Sequence, residues 1–206
     1  MSNMKKIIIS IFALIMCIVV TYAWINELQN PHGRVMALRL NDASIASSDL
    51  IVTLSSNVKD DIFTEITKLC EEYPEQTLEV YDNFAPGTRQ KFRADITNLS
   101  KSSVNLRLFL SEIVCEDTEL QENIIIGTNG FSGFTEAYPA PSVQNKRLAD
   151  GMDAAASFIL IENVEIPPYN VDEPVSIYFY VMFSAAGTEN LEDTSFSIGK
   201  INFLTI

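Results

Sequence analysis

Few residues in this chain are placed to do chemistry. His32 is the only histidine, which removes helices of the HExxH type and every histidine-dependent triad not built on His32 itself. Beside Pro31 and Gly33 it reads as a turn residue. Of the three cysteines, Cys17 falls in an apolar run, while Cys70 and Cys115 could either join in a disulfide after export or remain as two buried thiols. The acidic pairs Asp60-Asp61 and Glu71-Glu72 lack the ligand spacing of a calcium loop. The glycine-rich "GTNGFSGF" (127–134) has neither a following Lys-Ser/Thr nor a strand-to-helix setting, so it reads as an exposed loop and not a phosphate cradle. No Asp, Glu, Ser or Thr stands out by spacing as an acid or base. The expectation is a protein that is not an enzyme, with no metal and no cofactor.

The clearest chemistry is chemistry done to the chain. Lys5 and Lys6 precede an uncharged run from Ile7 to Trp24, interrupted only by Ser10 and Thr21. A basic start, an apolar stretch and small residues near its end describe a secretory signal, yet the run is also long enough to span a bilayer as a helix. Thr21 and Ala23 occupy the −3 and −1 positions of a cut between Ala23 and Trp24, which favours cleavage. Met16 stands before Cys17 where lipid attachment needs a small residue. The expected organisation is therefore a signal peptide or membrane anchor over 1–23, an extended segment over 24–33 and one domain over 34–206. Either way the domain lies outside the cytoplasm, at the cell surface or beyond it. Any membrane contact would run through residues 7–24 if they are retained.

Charge narrows the partners. The chain carries 14 Lys and Arg against 27 Asp and Glu, a net charge of −13. Phosphate backbones need a concentrated basic surface, so nucleic acid is excluded as an expected partner. The acidity fits solubility outside the cell.

Stepping along the domain, "RVMALRL" (34–40) and "DLIVTLSS" (49–56) read as strands joined by a turn in "NDASIAS". In "DDIFTEITKLCEEYPE", Ile62, Phe63, Ile66, Leu69 and Cys70 recur at helical spacing, with an acidic start and Pro74 as a stop, so a helix is expected there. Next, Phe92, Ala94 and Ile96 alternate with Arg93, Asp95 and Thr97. After a polar turn over 98–103, Val104, Leu106, Leu108 and Leu110 alternate with Asn105, Arg107 and Phe109. Two antiparallel strands with one buried face follow from that pattern. Asn98-Leu99-Ser100, in the turn, fits a glycosylation acceptor. Residues 122–157 are the least regular, with a strand expected at Ile124 to Ile126. Phe131, Phe134 and Tyr138 in that loop either contact a sugar or partner or pin the loop to the domain. The C-terminal part repeats strand, Pro-Pro turn and strand, with "SIYFYVMF" apolar on both faces as a covered central strand is. Seven to nine strands predict an all-β fold, an antiparallel β-sandwich with one or two short helices.

These stretches together resemble the TasA and camelysin family of exported bacterial proteins. "TYAWINE" is similar to that family's signal junction, with Thr21, Tyr22 and Ala23 followed by Trp24 and Ile25 and then by Asn26 and Glu27. "FAPGTRQKFRADITNLSKSSVNLRLFL" is similar to its Pro-Gly turn and the two strands that follow, through Pro86, Gly87, Ile96, Asn98 and Ser100. The closing segment from Glu165 to Phe203 resembles its last strands, whereas residues 115–157 have no counterpart and Pro167-Pro168 stands where a further Pro-Gly turn is frequent. The resemblance implies cleavage after Ala23 by a dedicated signal peptidase, a jelly-roll-like sandwich and assembly into extracellular biofilm-matrix fibres. The metallopeptidase label carried by some members finds no ligand set here. A structural role is thus expected, by self-association or with a matrix protein, in which Trp24, Ile25 and Leu28 form a donor strand inserted into the next subunit. The alternative is a monomeric surface module that binds polysaccharide or protein through Phe131, Phe134 and Tyr138.

Overall fold

The computed structural model describes residues 36–45, 49–59, 62–66, 78–84, 86–184 and 196–206. Alternation along the chain sets the strands and decides which face each one buries. In the strand β5 (Arg89–Asn98), Gln90, Phe92, Ala94, Ile96 and Asn98 are buried and the intervening residues are not. In β6 (Val104–Val114), Leu106, Leu108 and Leu110 are fully buried. The remaining strands are β1 (Met36–Ile45), β2 (Leu50–Lys59), β3 (Ile62–Glu65), β4 (Leu78–Phe84), β7 (Ile124–Ser132), β8 (Asn145–Arg147), β9 (Phe158–Ile166), β10 (Val175–Phe183) and β11 (Phe196–Thr205).

They form a five-stranded sheet in the order β4-β1-β11-β6-β9 and a six-stranded sheet in the order β3-β2-β5-β10-β7-β8. Buried residues of both sheets belong to one hydrophobic cluster, from Leu54, Phe92, Ile177 and Phe179 on the six-stranded side to Leu106, Leu108, Ile201 and Phe203 on the five-stranded side. The all-β, sandwich-like expectation stands. Pairing is antiparallel throughout except between β1 and β11, which run parallel from Leu38↔Phe196 to Ile45↔Phe203. The sheet containing them is therefore mixed. Parallel neighbours cannot be joined by a tight turn, and these two strands come from opposite ends of the described chain.

The two consecutive strands predicted around Asn98 do not pair with each other. β5 lies between β2 and β10, and β6 lies between β11 and β9, so the 98–103 turn carries the chain across the core from one sheet to the other. The Pro167-Pro168 segment does the same between β9 and β10. Alternation fixes which face is buried, but it is the same pattern whether the partner lies alongside or opposite.

Three local expectations are corrected. Ile62–Glu65 is a strand, not the start of a helix: it folds back on β2 with Asn57↔Phe63, Ser56↔Thr64 and Ser55↔Glu65 in register, so hairpin pairing overrides the helical spacing. The rest of that predicted helix, 67–74, lies outside the described residues. The strand β1 continues through "NDASI", where a turn was expected. Finally, "GTNGFS" is not a loop but the second half of β7, antiparallel to β10. Glycine is required at Gly127 because the backbone of Gln144 and the side chain of Asn145 lie where a Cβ would project.

Two short helices occur among the described residues, α1 (Thr118–Asn123) and α2 (Leu148–Gly151). The Asp117 side chain caps α1 by accepting from the Leu120 amide at 3.0 Å. Each helix buries one leucine completely, Leu120 and Leu148. On β6, Glu112 has φ 55°, which shifts the buried phase from Leu110 to Ile113; Gly199 of β11 stands opposite, where any side chain would collide with Glu112.

Candidate functional site

The predicted cleavage site at Ala23 and Trp24, the donor residues Trp24, Ile25 and Leu28, and His32 all lie outside the described residues, as do both acidic pairs and Cys70. Among the described residues no helix is long and apolar enough to cross a membrane, and no three His, Cys, Asp or Glu side chains converge as metal ligands. Phe131, Phe134 and Tyr138 are all half-buried. Phe131 and Phe134 meet edge-on at 6.1 Å between ring centroids and lie against the core. Tyr138 exchanges two backbone hydrogen bonds of 3.1 Å with Thr135. The two phenylalanines thus pack the segment against the core, whereas the Tyr138 bonds lie within the segment itself.

The Asn98 turn is a polar clamp. Asn98 is fully buried, its Nδ2 donates to the carbonyls of Ser102 (2.9 Å) and Pro167 (3.1 Å), and its Oδ1 accepts from the Ser100 amide at 2.9 Å. One side chain thus ties β5 to both sheet-crossing turns. Asn170 completes the joint: its Oδ1 accepts from the Asn98 amide at 2.6 Å and its Nδ2 donates to the Ile96 carbonyl at 2.9 Å, so the side-chain amide stands in for one more peptide group at the end of β5. The Asn98-Leu99-Ser100 motif is accordingly no glycosylation acceptor in the folded chain, because the nitrogen that would carry the sugar is buried and engaged. Tyr169, beside the clamp, has φ 47° and is 58% exposed, its amide bonded to the Ser100 carbonyl at 3.2 Å.

Cys115 is a buried free thiol, and the other half of the candidate pair, Cys70, lies outside the described residues. Burial, reinforced by the nearby Asp117 carboxylate, pushes the Cys115 pKa up from 9.0 to about 11. The folded chain then holds this proton more tightly than the unfolded chain does. Its contribution to stability is complete below about pH 9 and is lost as pH rises toward 11. Little thiolate forms at neutral pH, so Cys115 is expected to resist alkylation by iodoacetamide in the native chain and to react fully in denaturant. Peptide mass mapping reads this directly, and rapid native labelling at Cys115 would contradict the burial.

At the end of the sandwich bearing α1 there is a polar cleft of about 540 Å³, lined by Thr118, Glu119, Glu122, Asn123, Ile125, Arg147 and Ser184. Arg147 and Glu122 form an exposed ion pair across it at 3.6 Å. The cleft adjoins the outer face of the six-stranded sheet, through the pairing of Ile125 with Met182 and with Arg147.

That outer face has the most concentrated chemistry among the described residues. Arg89, Lys91 and Arg93 alternate with the core-facing Gln90 and Phe92 and therefore share it. The Arg89 guanidinium lies 4.5 Å from the centre of the Tyr180 ring, and that of Arg93 lies 5.2 Å from the centre of the Phe63 ring. Phe63 also meets Tyr178 edge-on at 6.1 Å. Asp95 accepts from Arg93 Nε at 3.0 Å and from Ser176 Oγ at 2.6 Å.

No family model, curated protein or solved structure matches this chain. Its function must therefore be argued from its own residues. The basic face carries a sequence signal that strand patterning alone does not single out: "RQKFR" places three cations at strand period, alternating with two core-facing residues. The clamp had no such signal, since a turn asparagine looks the same whether exposed or buried.

Proposed function

We propose that this protein is an exported structural subunit of an extracellular or surface matrix, a jelly-roll-like sandwich that assembles by strand donation between copies. The observation that carries the reading is the position of β1. It fills an interior place between β4 and β11, runs parallel to the latter, and is reached directly from the N-terminal side of the chain. A strand delivered in this way can come from its own subunit or a neighbour, because main-chain bonds and alternating side chains fix it equally in both cases. Residues 24–33 lie two residues before β1 in sequence, and Trp24, Ile25 and Leu28 supply the apolar side chains a donated strand needs. At the edges of the six-stranded sheet, β3 and β8 span only four and three residues. The edge strand β9 is guarded by Glu162 and Glu165 and by a register shift against β6.

The test is assembly. Mature protein starting at Trp24 is expected to form filaments visible by negative-stain electron microscopy, and Trp24→Ser with Ile25→Ser to abolish them while leaving the thermal unfolding of the monomer unchanged. Filaments of normal length and number from the double variant would refute strand donation by this segment.

A further inference from the structure

We propose that the outer face of the six-stranded sheet is a binding site for an extended acidic polypeptide, recognised through Arg89 and Arg93. The chain is strongly acidic, with 14 Lys and Arg to 27 Asp and Glu, yet four of those cations, Arg89, Lys91, Arg93 and Arg147, fall on this one face. Arg93 and Arg147 on this face, like Arg107 and Lys200 on the opposite sheet, are each met by a carboxylate, of Asp95, Glu122, Glu162 and Glu112 in turn. Arg89 differs from them. Its side chain is exposed, its contacts are the Tyr180 ring and a long approach of 3.8 Å to Met182 Sδ, and among the described residues no carboxylate lies within ion-pair range of it.

The way the two arginines are held favours anion recognition. Each guanidinium rests near an aromatic ring, which restricts its motion while leaving N–H groups in its plane able to grip a carboxylate. Arg93 commits only its Nε to Asp95, so its terminal nitrogens remain for a ligand. A pre-positioned fork loses less freedom on binding than a mobile one, which is why stacked arginines serve carboxylate recognition better than the same charge on a loose stem.

Spacing selects the ligand. Arg89, Lys91 and Arg93 repeat every second residue of a strand, a period of about 6.6–6.8 Å. An extended peptide with acidic residues at alternate positions presents carboxylates at the same period on one side, so it can lie along β5 with successive charges in register. Aromatic side chains Phe63, Tyr178 and Tyr180 floor the track. The cations of this face oppose, at close range, the general repulsion that a chain of net charge −13 exerts on an acidic partner.

The experiment is fluorescence anisotropy with a labelled alternating Glu-Thr peptide on the intact mature protein. A peptide of the same composition with its Glu and Thr in separate blocks, and a uronate polysaccharide, serve as competitors. Binding of the alternating peptide is expected at low salt and should weaken steeply as salt is raised. Arg89→Ala with Arg93→Ala should reduce affinity at least about ten-fold, whereas Arg107→Ala with Lys200→Ala on the other sheet should change it less than about two-fold. Should the alanine variant fold poorly, Arg89→Lys with Arg93→Lys keeps the charge and removes the fork and its stacking; the proposal expects most of the affinity to go with it. Undiminished binding by either Arg89/Arg93 variant overturns the assignment. Equal binding of the block peptide would reduce the effect to net charge, and tighter binding of the uronate polymer would assign the face to polysaccharide; either result overturns the proposal as stated.

Discussion

Truncating Phe92 to alanine is expected to destabilise the domain by about 3–5 kcal/mol, the range for removing a buried phenylalanine and leaving a cavity. Phe92 and Phe179 are paired in register on β5 and β10, each is 1% exposed, and their rings stack at 5.0 Å with 11° between planes. They sit where the six-stranded sheet faces the five-stranded one, so a void there forfeits contacts with both its own sheet and the facing one. Neighbouring Leu54, Ile96 and Ile177 are themselves buried β-sheet residues with little freedom to collapse inward. In a chain of this size such a loss corresponds to a fall in Tm of roughly 6–20 °C. It is also a large share of the total stability of about 5–15 kcal/mol that a domain usually has. Urea unfolding of Phe92→Ala beside Phe92→Leu checks it, with the leucine variant expected to lose less than half as much. A loss below about 1 kcal/mol in the alanine variant would mean that the two sheets do not close over this pair.

The second large effect concerns the clamp. Asn98→Ala is expected to cost about 2–4 kcal/mol, because it deletes a buried donor and acceptor and strands the carbonyls of Ser102 and Pro167 without the amide that satisfies them. Asn98→Asp is the sharper comparison. It keeps the shape and keeps an acceptor for the Ser100 amide, but turns a second oxygen toward two carbonyls. The aspartate variant should therefore be no more stable than the alanine variant near neutral pH and should recover part of the loss when acidified, as the carboxyl gains a proton to donate. Equilibrium unfolding of both variants at neutral and acidic pH reads this. Wild-type stability for Asn98→Asp would show that the Nδ2 bonds do not hold the two turns together.

The two predictions divide the work of the fold. The Phe92-Phe179 stack supplies apolar cohesion between layers, and Asn98 with Asn170 fixes where the chain leaves one layer for the other. The basic face and the α1 cleft lie on the exterior of that frame, positioned by it without contributing to the core. A rigid strand such as β5, with its core side locked by Phe92, Ala94 and Ile96, holds Arg89, Lys91 and Arg93 at fixed spacing.

Much of this architecture was legible in the residues alone. Period-two alternation in 89–98 and 104–110 determined strands and their buried faces, because a pleated chain can send only every second side chain inward. The double-sided apolar run in "SIYFYVMF" marked β10 as interior, and it lies between β5 and β7. The single histidine likewise rules out an HExxH helix from the sequence alone. Pairing partners were not legible. Alternation is indifferent to whether the next strand lies beside or across the core, so the crossings at 98–103 and 167–174 were decided only by the tertiary structure. The parallel junction of β1 with β11 joins segments far apart in sequence, and no local pattern encodes it. Likewise Ile62–Glu65 has a spacing that suits a helix, yet hydrogen bonds offered by β2 make it a strand. Gln90 and Asn98 show the same limit in polar residues: both occupy core-facing positions of β5. The Asn98 side chain is satisfied by partners as far as 69 positions along the chain, while Gln90 Oε1 has none among the described residues. Sequence fixes the face a side chain must take; only the assembled layers decide what it meets there, since hydrogen bonds and packing across a core depend on chain segments that local periodicity does not connect.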